Sequence, residues 1–122
     1  SRSETVWIVD DDRSIRWVLE KALQQEGMTT QSFDSADGVM SRLARQQPDV
    51  IISDIRMPHM RGNEFLYYLK GNELLKHIPV VMLSSEESTT ERIHLLEAGA
   101  ADYILKPFNP LELKIRIKKI ID

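Results

Sequence analysis

Residues 6–17 read VWIVDDDRSIRW: an apolar run that ends on three consecutive carboxylates, Asp10, Asp11 and Asp12, with two arginines close behind. With Thr5, the apolar half has the length and β-branched content of a buried strand over 5–9. The charged half sets a problem. Three carboxylates at the end of a buried strand repel one another and lose hydration as they approach the core. A cation, a helix terminus or plain solvent must offset that cost. Downstream, Ile15, Val18, Leu19, Ala22 and Leu23 recur at i, i+3, i+4, i+7 and i+8, the spacing of a helix with one buried face. Asp12 or Ser14 is placed to cap its start and Gly27 to end it.

The strand-then-helix pattern repeats along the chain. DVIIS (49–53), PVVML (79–83) and DYIL (102–105) read as further buried strands, and the more polar TTQSF (29–33) as an edge strand. Helices are expected over 35–47, 62–72 and 88–100, with Gly99 a stop for the last of these. LELKIRI (111–117) alternates apolar and polar as a strand does, but Asn109–Pro110 is an N-cap and first-turn pair and lysines gather near the end, so the segment is read as a helix. Strands alternating with helices five times over imply a doubly wound α/β sandwich: a five-stranded parallel sheet, order 2-1-3-4-5, with helices on both faces.

The totals narrow the function classes. At 122 residues the chain is expected to be a single domain, 1–122, with residues 1–4 a free polar N-terminus and not a signal peptide. Hydrophobic residues at 42% and charged residues at 29% are ordinary for a globular domain, and no stretch approaches the roughly 20 apolar residues that span a bilayer. No membrane partner is expected. The net charge of −3, with basic residues scattered among acids, supplies no stripe for a phosphate backbone, so direct nucleic-acid binding is not expected either. The absence of cysteine excludes disulfides and thiolate chemistry and suits a cytoplasmic location.

In a doubly wound sheet, ligands bind beyond the carboxyl ends of the strands where the winding reverses, here between strands 1 and 3. Asp10 and Asp11 follow the first strand and Asp54 the third, while Ser84, Ser85 and Lys106 fall on the same rim. Carboxylates on short side chains suit Mg²⁺, which prefers a few carboxylates plus phosphate oxygens. A lysine and a hydroxyl across the site can meet a phosphoryl group. Such a set can carry an aspartyl phosphate, because a carboxylate is an effective covalent nucleophile when cations spread the charge of the transferring group.

IVDDD, SDIRMP, VVMLSS and LKPF, in this order and at these spacings, resemble the receiver domain of two-component response regulators from Thr5 to Ile121. Residues 6–58 are most similar to the NtrC, or nitrogen-regulation, type. From about residue 60 onward the chain resembles another receiver subtype, as a chimera or a divergent paralogue would. The resemblance implies that Asp54 accepts phosphate from a sensor histidine kinase, and that Asp10, Asp11, Asp54 and the Arg56 backbone carbonyl hold Mg²⁺. It further implies that Lys106 contacts the phosphate, that Ser84 and Tyr103 act as switch residues, and that Arg56 and Glu86 tune the loss of the phosphoryl group. In the family the bond before Pro107 is usually cis. The surface of the fourth helix, fifth strand and last helix would meet an output domain or a second copy of the chain, and transcriptional control is the implied output.

Two departures from the family pattern stand out: Ser84 where threonine is frequent, and Arg61 where many receivers carry an aspartate. Two other readings of the chain are a receiver that binds partners without phosphate and an aspartate-nucleophile phosphohydrolase. The latter wants an acid two residues after the nucleophile, where this chain has Arg56. His59, His77 and His94 are read as solvated, Ser85 as a helix-start residue, Trp7 as packed and Trp17 as exposed. The last helix carries Leu111, Leu113, Ile115, Ile117 and Ile120, more apolar surface than one stripe needs.

Overall fold

A computed structural model describes residues 3–57 and 60–122. Its elements alternate strictly: β1 (Thr5–Val9), α1 (Arg13–Gln24), β2 (Thr29–Phe33), α2 (Ala36–Leu43), β3 (Val50–Asp54), α3 (Gly62–Lys70), β4 (Val80–Ser84), α4 (Thr89–Glu97), β5 (Asp102–Leu105) and α5 (Pro110–Ile121). The strands form one parallel sheet in the order β2-β1-β3-β4-β5. The segment over 111–117 is helical despite its alternation. Asn109 accepts hydrogen bonds from the Leu111 and Glu112 amides, and Pro110 begins the first turn.

Alternation along the strands divides the core in two. Val6, Ile8, Val50, Ile52, Val81, Leu83 and Ile104 point to one face, where Leu19 and Leu23 of α1 and Leu113 and Ile117 of α5 cover them. Trp7, Val9, Ile51, Val80, Met82 and Tyr103 point to the other, under Val39 of α2, Phe65, Leu66 and Leu69 of α3 and Leu95 of α4. Both faces of the sheet are buried, which is why its strands read as continuous apolar runs. The edge strand β2 is only partly covered, in keeping with its polar sequence.

The differences from the sequence expectation lie at element ends. α2 stops at Leu43, not at Gln47, and α4 stops at Glu97. Gly27 and Gly99 take φ of 81° and 110° just beyond α1 and α4, conformations that a side chain resists, and both stop signals therefore act as expected. α4 begins at the Ser88 cap, whose hydroxyl accepts from the Glu91 amide at 3.1 Å. Ser85 lies before that cap in the β4–α4 loop and does not start the helix. Ser3 and Glu4, grouped with the free terminus by sequence, reach the β2 side through Ser3 Oγ to the Gly27 carbonyl and the Thr29 amide to the Glu4 carbonyl.

No helix among the described residues is long and apolar enough to cross a membrane. Trp7 is fully buried and Trp17 exposed, as expected. In α5 the apolar residues separate: Leu113 and Ile117 are buried, while Leu111 and Ile115 remain 60% and 56% exposed.

Candidate functional site

Sheet register builds the site. Val9 pairs with Ser53, Asp54 with Leu83, and Ser84 with Leu105, so Asp10, Asp54, Ser84 and Lys106 reach the same rim from four adjacent strands. The three consecutive acids then part. Asp10 is fully buried, its Oδ1 accepting from the Asp12 amide at 2.8 Å and its Oδ2 from Lys106 Nζ at 2.8 Å. Asp11 faces solvent. Asp12 turns outward and caps α1, accepting from the Ser14 and Ile15 amides. Arg16 closes this corner by donating to the Asp10 backbone carbonyl at 2.7 Å. The charge problem posed by DDD is thus solved three ways: one carboxylate is paired, one hydrated and one spent on a helix terminus.

Asp54, at the end of β3, is nearly as buried as Asp10, and Lys106 Nζ lies 3.3 Å from its Oδ1. Burial, and then the neighbouring Asp10 charge, push the Asp54 carboxyl above its ordinary pKa, with Lys106 opposing. Burial alone would lower the Lys106 ammonium, but its bonds to Asp10 and Asp54 outweigh this and hold it above the ordinary lysine value. The Lys106–Pro107 peptide bond is cis, as the family resemblance implies. Carboxylate oxygens of Asp10, Asp11 and Asp54 all lie within 4.8 Å of one another. Three hard oxygen donors this close suit a small divalent cation. An open depression beside them is lined by Asp11, Arg56, Met57 and Arg61, and the Arg56 guanidinium forms an ion pair with Glu86.

Gly62 locks the β3 end in place. Its amide donates to the Ile55 carbonyl at 2.7 Å, and a Cβ there would come within 2.4 Å of the Asp54 carbonyl oxygen. Only glycine lets α3 begin so near the Asp54 backbone.

Ser84 and Tyr103 are both buried, and their hydroxyls share two acceptors. Ser84 Oγ lies 3.1 Å from the Glu86 carbonyl and 3.3 Å from Glu91 Oε1, and it accepts from the Glu86 amide. The Tyr103 hydroxyl donates to the same two acceptors, at 3.0 Å and 3.2 Å. Burial pushes the Tyr103 phenol up; the Ser84 hydroxyl opposes this and the Glu91 carboxylate adds to it.

The sequence reading therefore named the residues that converge and missed two neighbours. Glu91 carries no motif for this site: its place three residues after Ser88 suits it to a helix cap and does not point to Ser84 or Tyr103. His94 is exposed, as read, and in addition bonds through Nε2 to the Tyr67 hydroxyl and stacks edge-on against that ring, joining α3 to α4. His77 is exposed, and His59 and Pro58 lie outside the described residues.

A sequence model described as the response regulator receiver domain matches residues 6–118. The chain belongs to the response regulator receiver family. Receivers similar to this one include that of the DNA-binding transcriptional regulator NtrC of Proteus hauseri, 41% identical over 116 residues, which are 95% of this chain and 24% of that protein. The transcriptional regulatory protein CreB of Escherichia coli is 36% identical over 97% of this chain and 51% of its own length. This receiver thus spans about a quarter of the NtrC protein. A single NtrC alignment runs across both segments that the sequence reading compared with different subtypes. Among solved structures, a putative response regulator from Chloroflexus aurantiacus superposes with a TM-score of 0.93 at 32% identity, covering 98% of each chain. The chemotaxis response regulator CheY4 of Vibrio cholerae superposes with a TM-score of 0.90 at 30% identity, covering 98% of this chain and 99% of its own.

Proposed function

We propose that this receiver is a phosphorylation-controlled signalling module in which Asp54 is the phosphoacceptor. The observation that carries the reading is the meeting of Asp10, Asp11 and Asp54 within 4.8 Å, with Lys106 Nζ at 2.8 Å from Asp10 and 3.3 Å from Asp54. An Asp54 carboxylate oxygen attacks the phosphorus of a phosphohistidine on a sensor kinase; the new O–P bond forms as the P–N bond breaks, and the imidazole leaves with the electron pair. Asp10, Asp11, Asp54 and the Arg56 backbone carbonyl would hold Mg²⁺, which when bound supplies positive charge against the phosphoryl oxygens. Lys106 moves its ammonium from Asp54 to a phosphoryl oxygen, and the Ser84 hydroxyl donates a hydrogen bond to another.

The same residues weigh against a phosphohydrolase. The position two residues beyond Asp54 is Arg56, whose guanidinium is paired with Glu86 and does not release a proton to a leaving group at neutral pH. The switch then biases α4, β5 and α5. Leu105, Leu111 and Ile115 are exposed there, together with Ile93 and Leu96 of α4, and form the surface that meets an output domain or a second copy. By analogy with NtrC and CreB the output is transcription, with the domain cytoplasmic and not itself touching nucleic acid.

Incubation with acetyl phosphate and Mg²⁺, followed by intact mass, tests the reading. One phosphoryl adduct on the wild type and none on Asp54→Asn is expected. An adduct on both, or on neither, contradicts it, and no adduct with retained partner binding would identify a phosphate-independent module.

A further inference from the structure

We infer that Glu91 is a positioning residue that retains the Ser84 hydroxyl in the β4–α4 loop, so that capture of a phosphoryl group at Asp54 must first release Ser84 from it. The inference rests on the phosphoacceptor reading of Asp54.

Residues 88–91 read STTE, the pattern of a capping box, in which the glutamate normally reaches back to the cap amide while the serine accepts from the glutamate amide. Only the serine half is seen: Ser88 Oγ accepts from the Glu91 amide at 3.1 Å. The Glu91 carboxylate instead turns inward to the hydroxyls of Ser84, 3.3 Å away, and Tyr103, 3.2 Å away. α3 shows the contrast, since there Glu64 does reach back to the Arg61 amide. Glu91 thus serves the two buried hydroxyls where its place in sequence suits it to serve its own helix.

Counting protons gives the direction. Ser84 and Tyr103 bring one hydroxyl proton each, and both direct it at the same two acceptors, the Glu86 carbonyl and Glu91. With Glu91 present, each proton has its own acceptor. Without it, Ser84 and Tyr103 lose their charged acceptor and are left to share the two lone pairs of the Glu86 carbonyl, which weakens the hold on Ser84. Once the Ser84 hydroxyl donates its hydrogen bond to a phosphoryl oxygen, Tyr103 keeps the Glu86 carbonyl, and Glu91 is no longer required to hold Ser84. Glu91 therefore stabilises the resting arrangement over the phosphoryl-bound one, and its removal favours capture.

The test is titration of the full chain with the phosphoryl mimic beryllofluoride in the presence of Mg²⁺, read from amide chemical shifts. Glu91→Ala should tighten binding by about fivefold, the size of one ordinary hydrogen bond, in keeping with the 3.3 Å separation of Ser84 Oγ from the carboxylate. Glu91→Gln keeps an acceptor oxygen and should stay near wild type. A role limited to placing an acid in the first turn of α4 would instead make Gln behave as Ala. In a Ser84→Ala background the effect of Glu91→Ala should vanish. Equal affinity of wild type and Glu91→Ala, equal behaviour of the Gln and Ala variants, or an undiminished effect without Ser84 would overturn the inference and leave the phosphoacceptor reading intact. Absence of binding to wild type, or undiminished binding to Asp54→Asn, would overturn that reading and this inference with it.

Discussion

Replacing Lys106 by methionine keeps most of the stem and removes a positive charge that pairs with both buried carboxylates. In the wild type, Nζ lies 2.8 Å from Asp10 and 3.3 Å from Asp54, with the lysine side chain 16% exposed and that of Asp10 fully buried. At an effective dielectric near 20 these separations correspond to gross attractions of about 6 and about 5 kcal/mol. Desolvation of the ammonium and mutual repulsion of the carboxylates take back most of this, and breaking such a pair leaves a net loss of about 3–5 kcal/mol. For a domain of this size, that loss lowers Tm by about 10–20 °C. A divalent cation would supply charge at the same place, so Mg²⁺ at a hundred times its Kd for Lys106→Met should stabilise the variant by about 2.7 kcal/mol, and the wild type, where Lys106 competes with it, by less. Calorimetry of both proteins, with Mg²⁺ and with chelator, measures all four states. A variant melting within a few degrees of wild type and indifferent to Mg²⁺ would show that Lys106 does not neutralise the acidic cluster.

Asp54→Asn should melt higher than wild type in chelator. The folded Asp54 pKa is raised by burial and Asp10, so protonation favours the fold; that stability is complete below the unfolded value of about 3.9 and is lost as pH rises through the folded value. The variant's advantage should therefore grow with pH across that window and shrink on adding Mg²⁺; a Tm difference independent of pH counts against it. Gly62→Ala forces a Cβ to within 2.4 Å of the Asp54 carbonyl oxygen and should cost about 1–3 kcal/mol by denaturant titration and slow adduct formation, whereas unchanged values would mean α3 yields without disturbing β3. Asp12→Ala should lose about 1 kcal/mol by the same titration with adduct formation retained, because its carboxylate caps α1. A collapse of phosphorylation there would instead place Asp12 in the metal site.

The sheet order was legible because buried parallel strands leave long apolar runs and because the one polar run, TTQSF, could only lie at an edge. The rim residues were legible for a related reason: a register that aligns strand ends also aligns the polar residues that follow them. What escaped depends on side-chain direction. Asp10, Asp11 and Asp12 are identical in type and adjacent in sequence, and only backbone geometry assigns one to Lys106, one to solvent and one to a helix cap. Glu91 was hidden because STTE reads as a capping box, and His94 because a polar setting does not reveal a tyrosine arriving from another helix. Helix ends erred where local signals compete: α2 stops at Leu43 although polar residues with helical propensity continue to Gln47.

If Asp54 is the phosphoacceptor, treating the protein with acetyl phosphate and Mg²⁺, reducing the acyl phosphate with borohydride and mapping the product by tandem mass spectrometry should give homoserine at position 54 alone, and none without the phosphodonor. Homoserine at position 10, 11 or 12, or at no position while an adduct is present in the intact mass, would contradict that assignment.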